Sequence, residues 1–223
     1  CVAYPDMERF FPADKIVMTG NPVRKEILID TKTAEEARRS FGLQPDLPTV
    51  LVVGGSLGAR TLNESLCDHL QKFVDNGVQL IWQTGKNFGD RGVVAAKGKK
   101  GIVVTQFITD MSVAYAAASL VVSRAGAGSI SELELLGKPC ILVPSPNVAE
   151  DHQTKNALAL ANKNAAIMIA DNEAREKLVG TVLSTVKDAD RLNQMAQNVR
   201  QLALENSDEK IVDHVLEIIH SKH

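Results

Sequence analysis

Short apolar runs alternate with helical stretches from Thr49 onward, and this alternation limits the fold more than any other feature. The runs are rich in β-branched residues and read as buried strands, whereas the stretches between them have helical spacing. Such repeats build right-handed strand-helix-strand units and a parallel sheet covered on both faces, so the sequence predicts an α/β fold. Strands are predicted at 49–53, 78–82, 102–105, 119–122, 139–143 and 165–169, with helices at about 59–75, 109–117, 128–136 and 152–163 and a weaker one near 87–97.

The two ends of the chain follow other patterns. Before the alternation, residues 16–18 predict a strand, 19–22 a turn and Pro22 the start of a helix, and a capping box at Thr33 opens a second short helix that ends near Gly42. After Ala170 the pattern is helical, at about 173–187, 190–205 and 207–220. We expect residues 1–48 to belong to the same domain as 49–189, and 190–223 to form a helical tail.

Composition excludes several classes of protein. Hydrophobic residues make up 44% and charged residues 23%, as in ordinary globular proteins, and no apolar run approaches the ~20 residues that span a bilayer. A net charge of −2 offers no reason to expect nucleic acid, and the basic cluster at 97–100 reads as a solvated loop. No signal peptide is visible, and the three cysteines lack metal spacing. A chain that begins with Cys1 is expected to be a piece of a longer protein or to have a processed N-terminus.

The segment 119–144 reads as strand, glycine loop, helix and strand. Gly126 and Gly128 allow a sharp turn, and the free N–H groups and the dipole of the following helix face whatever lies over Gly128 and Ser129. That arrangement predicts an anion site. Glu132 lies one turn further, about 4–5 Å along the axis, where its carboxylate can reach a sugar beside a bound phosphate. Alternatively, the glycines only make a tight turn and Glu132 only favours the helix dipole.

Three further loops follow strands and should open on the same edge of the sheet. In 53–59, the N–H groups and the Ser56 hydroxyl can face a phosphate. In 106–111, Phe107 or the Ile108 backbone can meet a flat base, ahead of a helix N-cap at 109–111, although core packing is the alternative. The loop 150–156 is a polar helix start that can also be a solvated cap. Arg24, near a helix start, has either an anionic partner or only solvent.

Several common sites do not fit. The loop 54–58 is not G-x-G-x-x-G, and 81–84 lacks the acidic residue that holds the ribose of a dinucleotide. Neither 85–87 nor 137–139 completes an ATP phosphate loop. The five histidines lack metal spacing, and no carboxylate pair lies near the glycine loops. We therefore expect neither a metal nor a cofactor.

Five ordered motifs together resemble one enzyme family over essentially the whole chain. The family is the bacterial murein glycosyltransferases, which add N-acetylglucosamine (GlcNAc) from UDP-GlcNAc to undecaprenyl-pyrophosphoryl-MurNAc-pentapeptide, the step from lipid I to lipid II. Five motifs in one order are far more specific than a single glycine loop. They are TGNPVR at 19–24, GGSLGA at 54–59, QFITDM at 106–111, RAGAGSISE at 124–132 and DHQTKNA at 151–157.

The resemblance implies the GT-B architecture, with two Rossmann-like domains facing a cleft. This chain resembles the C-terminal, donor-binding half, a Rossmann-like parallel sheet with helices on both faces. The N-terminal half would hold the lipid acceptor and the presumed catalytic base, and the tail 190–223 would cross toward it. The implied enzyme is inverting and independent of metal. It would be cytoplasmic and peripheral at the inner face of the membrane, which it would touch only as the full-length protein. The isolated chain would be inactive.

The resemblance also implies roles for individual residues. Arg24 and Ser56 would contact the diphosphate, and Ile108 would hold the uracil through its backbone beside Phe107. Ser129 would lie on a phosphate, Glu132 on the ribose hydroxyls and Gln153 on the GlcNAc hydroxyls. Further candidates are Gly55, Gly128 and His152. At the position of His152, some members of the family carry glutamine. The catalytic residue is unknown. A UDP-GlcNAc 2-epimerase and a non-catalytic nucleotide-binding or scaffold module are the alternatives.

Overall fold

Six parallel strands form a sheet in the computed structural model, which describes residues 1–4, 7–28, 32–148 and 151–220. Their order across the sheet is β3-β2-β1-β4-β5-β6, and each neighbouring pair is parallel. The predicted α/β fold is confirmed, and each of the six strands predicted from Thr49 onward is present within one residue at either end. The strands are β1 (Thr49–Val53), β2 (Gln79–Gln83), β3 (Ile102–Thr105), β4 (Leu120–Ser123), β5 (Cys140–Leu142) and β6 (Ala166–Met168).

Helices connect the strands and continue beyond them. Where the pattern predicted one helix at 59–75, the chain forms two, because it breaks at Asp68 and His69. No glycine or proline marks this break in the sequence. The helices are α1 (Lys25–Leu28), α2 (Ala34–Ser40), α3 (Arg60–Cys67), α4 (Leu70–Asp75), α5 (Gly89–Ala96), α6 (Met111–Ala117), α7 (Ala127–Leu136), α8 (His152–Ala161), α9 (Ala174–Thr185), α10 (Ala189–Arg200) and α11 (Ser207–His220).

The first 48 residues differ from the prediction in two places. Residues 16–18 do not form a strand: Met18 makes one isolated bridge with Val2, and the chain bends directly after Val2, so that the pairing ends there. The helix expected at Pro22 begins three residues later, at Lys25. The capping box at Thr33 is confirmed, since its side chain accepts from the Glu36 N–H and Glu36 accepts from the Thr33 N–H.

The core lies on both faces of the sheet, as expected for parallel strands. Alternate residues of β1 point to opposite faces: Leu51 packs with α1, α2, α6, α7, α8 and α10, whereas Val50 and Val52 pack with α3, α4, α5 and α9. The buried side chain of Asn63 is paired inside this core: it accepts from the Trp82 indole N–H at 2.9 Å and donates to the Thr84 carbonyl at 2.8 Å. Helix α3, which follows β1, packs on one face of the sheet, and helix α7, which follows β4, packs on the other. Their N-termini meet over the edge of the sheet.

The loop after β1 is held against the loop after β2. Gly55 and Gly58 both have a φ of 81°, a region that residues with a Cβ rarely adopt, and the Gly58 N–H donates to the Gly55 carbonyl at 3.0 Å. A Cβ on Gly58 would overlap the Thr84 carbonyl oxygen, whereas one on Gly55 would meet no heavy atom of the described residues within 4 Å. Gly58 therefore serves the fold by close packing as well as by its backbone angle.

Helix α11 has an apolar stripe on its surface. Val212, Val215, Leu216 and Ile219 are each between 46% and 56% exposed and recur at helical spacing. Ser207, at the first position, is buried. The apolar face of α11 is thus left open by the part of the chain that the structure describes. Within that part, no helix is long and apolar enough to cross a membrane.

Gly55 and Gly58 have the same φ but different packing. Substitutions at these two positions therefore distinguish the cost of the backbone conformation from the cost of a close contact. Gly55→Ala should cost only the left-handed conformation, about 1–2 kcal/mol of unfolding free energy. Gly58→Ala should cost about 1–3 kcal/mol more, because its Cβ also displaces the Thr84 carbonyl. Urea unfolding of both variants beside the unmodified chain measures the difference. Equal losses for the two variants would show that the contact with the β2 loop is unimportant.

Candidate functional site

The loops after β1 and β4 border one cavity of about 620 Å³ at the point where the strand order reverses. In open parallel sheets, this crevice at the carboxyl ends of the strands is where ligands bind. Three of the predicted residues, Gly55, Ser129 and Gln153, line this cavity. Its other lining residues are Val53, Gly54, Gly58, Ala59, Arg60, Thr61, Arg124, Gly126, Ser145, Pro146, Asn147 and Asp171.

The N-terminus of α7 opens into this cavity. Gly126 is its N-cap and has no side-chain cap bond, and the first intrahelical bond of the helix runs from the Ile130 N–H to the Gly126 carbonyl at 3.0 Å. The N–H groups of residues 127–129 therefore have no acceptor within the helix. Together with the positive end of the dipole, they favour an anion at this position.

The glycines of this loop leave space above the helix. The turn does not depend on glycine at Gly126, whose φ of −70° and ψ of 145° suit any residue. A Cβ on Gly126 or Gly128 would meet no heavy atom of the described residues within 4 Å. Neither glycine is thus required by packing with those residues. Both keep the approach to the α7 N-terminus open.

A mostly buried ion pair braces the wall of the cavity. Arg124 donates to the carbonyls of Val143 and Pro144 at 3.1 Å and pairs with Asp171, which also accepts from the Thr61 hydroxyl at 2.9 Å. The side chains of Arg124 and Asp171 are 17% and 19% exposed. This network ties the ends of β4 and β5 to α3. Asp171 belongs to none of the five motifs, and its one signal in the sequence is its position three residues after β6.

The start of α8 supplies polar groups to the same cavity. The Gln153 carbonyl oxygen accepts from the Ser145 N–H at 2.9 Å, which leaves its amide NH₂ for a ligand. Asn156 donates to the Ala125 carbonyl at 3.2 Å and so holds α8 against the glycine loop. His152 is exposed at the first position of α8. Glu150, part of this predicted loop, lies outside the described residues.

Glu132 is held by a tyrosine that sequence reasoning missed. The Tyr115 hydroxyl donates to the Glu132 carboxylate at 2.7 Å, and Tyr115 is only 4% exposed. Burial raises the pKa of Glu132, while the Tyr115 hydrogen bond and the charge of Arg24 act in the opposite direction. Burial also raises the pKa of Tyr115 far above its ordinary value, so Tyr115 stays a donor. Tyr115 lies in an apolar helix, and nothing in the sequence around it indicates a contact with Glu132.

The remaining predicted residues, Phe107, Ile108, Arg24 and Ser56, are not among the residues that line this cavity. Phe107 is 62% exposed, so the core-packing alternative is wrong for it, whereas the Ile108 side chain is buried in the core. Asp110 caps α6 as predicted and accepts from the Val113 N–H at 3.3 Å. Arg24 lines a neighbouring cavity of about 670 Å³ with residues 109–112. Ser56 is exposed, and its carbonyl accepts from the Lys86 N–H at 3.4 Å.

The chemistry of these groups is that of anion and hydroxyl recognition. Helix N–H groups favour phosphate, and a carboxylate one turn further favours hydroxyl donors. Among the described residues, no three His, Cys, Asp or Glu side chains are grouped so that they could hold a metal ion. The sheet order and the two glycine-rich helix starts are those of a Rossmann-like nucleotide-binding domain.

The chain belongs to the glycosyltransferase family 28 C-terminal domain, whose family model matches residues 49–215. It is 55% identical over its whole length to a UDP-N-acetylglucosamine–N-acetylmuramyl-(pentapeptide) pyrophosphoryl-undecaprenol N-acetylglucosamine transferase of Parabacteroides distasonis. The Bacteroides fragilis protein of the same name is 54% identical over 98% of the chain. The chain spans only 61% and 58% of these two relatives. The family resemblance drawn from the five motifs is confirmed.

Solved structures agree with this assignment. A crystal structure of Acinetobacter baumannii MurG matches 96% of the chain with a TM-score of 0.75 and 29% identity, and the match covers 59% of that protein. The predicted fold, the C-terminal domain of a GT-B glycosyltransferase, is confirmed. A UDP-N-acetylglucosamine 2-epimerase structure matches with a TM-score of 0.60 and 14% identity, a likeness of fold alone.

A second carboxyl group of α7 has a different environment. Glu134 lines a cavity of about 280 Å³ that also contacts Tyr4, Met18 and Lys163. Burial raises the pKa of Glu134 from 4.5 to about 7, against the opposing charge of Lys163. Because the folded state favours the protonated carboxyl, Glu134 destabilises the fold increasingly as the pH rises from 4.5 to 7.

This shift predicts how Glu134→Gln changes stability with pH. Relative to the unmodified chain, the variant should gain stability as the pH rises from 4.5 to 7 and keep that gain above pH 7. Glu36→Gln is the control of opposite sign, since hydrogen bonds from Thr33 lower the Glu36 pKa. The stability that this variant loses should grow with pH only in the acid range. Urea unfolding between about pH 2.5 and about 8 tests both, because the Glu36 effect lies below its ordinary pKa. A Glu134→Gln effect that does not change with pH would contradict the assigned pKa.

Proposed function

We propose that this chain is the donor domain of an inverting, metal-independent glycosyltransferase that transfers GlcNAc from UDP-GlcNAc to lipid I, forming lipid II of peptidoglycan. The names of its relatives support the reaction, and its membership of family 28 supports the role of the domain. The carrying observation is the open space over Gly126 and Gly128 at an uncapped helix N-terminus. A diphosphate fits that chemistry without further groups.

In this proposal, each part of UDP-GlcNAc meets a different element. The diphosphate lies over Gly128 and Ser129 at the start of α7. The uracil lies beside the exposed ring of Phe107 and bonds the Ile108 backbone. Glu132 accepts from the ribose hydroxyls, and the NH₂ group of Gln153 donates to the GlcNAc hydroxyls. Further contacts come from the second glycine loop, through Gly55 and Ser56, and from the start of α8 at His152.

The chemical contribution of the domain is electrostatic. UDP gains negative charge as the bond to GlcNAc breaks, and preorganised N–H groups at a helix N-terminus stabilise that charge without a metal ion. Arg24 adds a positive charge from the neighbouring cavity. The ion pair between Arg124 and Asp171 keeps the opposing walls of the cavity in place, through hydrogen bonds that all start from the Nη1 atom of Arg124. Stabilisation of the leaving group therefore requires only this domain.

The acceptor side belongs to the longer protein. About two fifths of each relative lies outside the matched length, and we place the lipid I site and the catalytic base there. The exposed stripe of α11 would pack against that part as the tail 190–223 crosses the cleft. The full-length enzyme would act as a peripheral protein at the cytoplasmic face of the membrane, where lipid I presents its sugar, and the isolated chain would bind the donor without transferring GlcNAc.

Two other functions remain distinguishable from this one. A UDP-GlcNAc 2-epimerase shares the fold and the donor, but its structural likeness to this chain is at 14% identity. A non-catalytic nucleotide-binding module would share the binding site alone. Assays of the longer parent protein with UDP-GlcNAc and a lipid I analogue separate the three, because only the proposed transferase forms a disaccharide.

Gly126→Val should weaken UDP-GlcNAc binding at least tenfold in the isolated chain. A Cβ at position 126 would meet no heavy atom of the described residues within 4 Å in the unbound protein, but the valine side chain would occupy the space over the α7 N-terminus. Gly180→Val is the matched control, because Gly180 also has open space around it but lies in α9; it should bind as the unmodified chain does. Calorimetry in excess EDTA measures both. Binding that needs a divalent ion, unimpaired binding by Gly126→Val, or GlcNAc transfer by the isolated chain would each contradict part of the proposal.

Glu132→Ala should weaken UDP binding by about 10- to 100-fold, the equivalent of ~1.5–3 kcal/mol for hydrogen bonds to a charged acceptor. If Glu132 accepts from the ribose, the variant should also lose most of its preference for UDP over 2′-deoxy-UDP. If Glu132 only interacts favourably with the helix dipole, Glu132→Ala would instead lower the free energy of unfolding by about 0.3–1 kcal/mol. An unchanged preference in the titrations would assign Glu132 to that structural role.

A further inference from the structure

We propose that Tyr115 is a positioning residue for the nucleotide: its buried hydroxyl holds the Glu132 carboxylate in the one orientation in which it accepts from the ribose hydroxyls. This inference rests on the proposed function, because it concerns the same ribose contact. It adds a residue of α6 that no motif singled out and that lies behind the site rather than facing the ligand.

The geometry makes Tyr115 a rigid support. Its ring is packed in the core, and the α6 N-terminus is fixed by the Asp110 side chain, which accepts from the Val113 N–H at 3.3 Å and from the Ser112 hydroxyl at 2.6 Å. The Tyr115 hydroxyl therefore has little freedom. The bond of 2.7 Å from this hydroxyl has the usual length of an O–H to oxygen bond and lies within the range found for an ionised acceptor.

The same bond prepares Glu132 for a ligand. A free glutamate side chain loses rotamer entropy when it is ordered. Since Tyr115 already orders Glu132 in the folded protein, most of that cost is removed from nucleotide binding. Tyr115 bonds Oε2, which leaves Oε1 and the second lone pair of Oε2 as acceptors, enough for two vicinal hydroxyls.

The bond also favours the ionised form of Glu132 in a partly buried place. Burial raises the Glu132 pKa, and two groups oppose it: the Tyr115 hydroxyl from α6 and the Arg24 charge from the segment before α1. Behind Tyr115 lies the Cys140 thiol of β5, whose pKa burial raises to about 12, so that it stays neutral. Without the tyrosine donor, Glu132 would take up a proton at a higher pH, and a protonated carboxyl accepts fewer hydrogen bonds.

The test is Tyr115→Phe, which removes the hydroxyl and keeps the ring. We expect UDP to bind roughly five- to tenfold more weakly at pH 7, the loss of one ordinary to strong hydrogen bond. The preference for UDP over 2′-deoxy-UDP should fall, and the acid limb of UDP binding should move to higher pH. Tyr4→Phe is the matched control: its hydroxyl makes a 3.5 Å bond to the Ala127 carbonyl, and its removal should change neither the preference nor the limb.

Two comparisons separate failure of this inference from failure of the proposed function. If Glu132→Ala keeps the full preference for UDP over 2′-deoxy-UDP, the ribose contact itself is wrong. If Glu132→Ala loses that preference while Tyr115→Phe retains the affinity, preference and pH profile of the unmodified chain, Tyr115 is only a core residue and the inference is overturned. In the Glu132→Ala background, Tyr115→Phe should have no further effect on the affinity.

A second replacement covers the case in which Tyr115→Phe does not fold. Replacing both tyrosines with 3-fluorotyrosine keeps the ring and the hydroxyl but makes the hydroxyl a stronger donor. The acid limb of UDP binding should then move to lower pH, opposite to the effect of phenylalanine. An unmoved limb, with the protein folded and binding UDP, would overturn the inference as well.

Discussion

The parallel pairing of β1 with β4 is the interaction on which the rest of the structure depends. Because β2 and β3 continue the sheet on one side of this pair and β5 and β6 on the other, the connections after β1 and β4 leave toward opposite faces. Helices α3 and α7 therefore begin on either side of one crevice. Neither helix start has a side-chain cap bond and both border the same cavity, so their combined field favours an anion there.

The two glycine loops at this crevice use glycine for different physical reasons. In the loop after β1, Gly58 has a positive φ and packs against the β2 loop, so its small size is required by the fold itself. In the loop after β4, Gly126 has an ordinary conformation and open space around it. The first loop is thus held rigidly by its neighbours, and the second leaves room at the helix end. A rigid wall opposite an open helix N-terminus is a suitable shape for a diphosphate.

Helix α7 also carries two partly buried carboxyl groups with different partners. Glu132 has a hydroxyl donor in Tyr115 and a nearby positive charge in Arg24, both of which favour its ionised form. Glu134 faces a separate cavity, where burial outweighs the charge of Lys163. Residues two apart on a helix point in different directions, so each samples its own surroundings. One helix therefore combines a group suited to binding hydroxyl groups with a group that costs stability at neutral pH.

The sequence by itself determined the α/β class, the six strands and the place of most helices, because hydrophobic period and β-branched runs are local signals. It also determined which loops follow strands, and so which residues were candidates for the site. The tertiary structure alone decided the break between α3 and α4, the failure of residues 16–18 to form a strand and the open space at Gly126. It alone decided the contacts of Tyr115 with Glu132 and of Asp171 with Arg124. These pairs are 17 and 47 residues apart, and no local pattern specifies which side chains the folded sheet brings together.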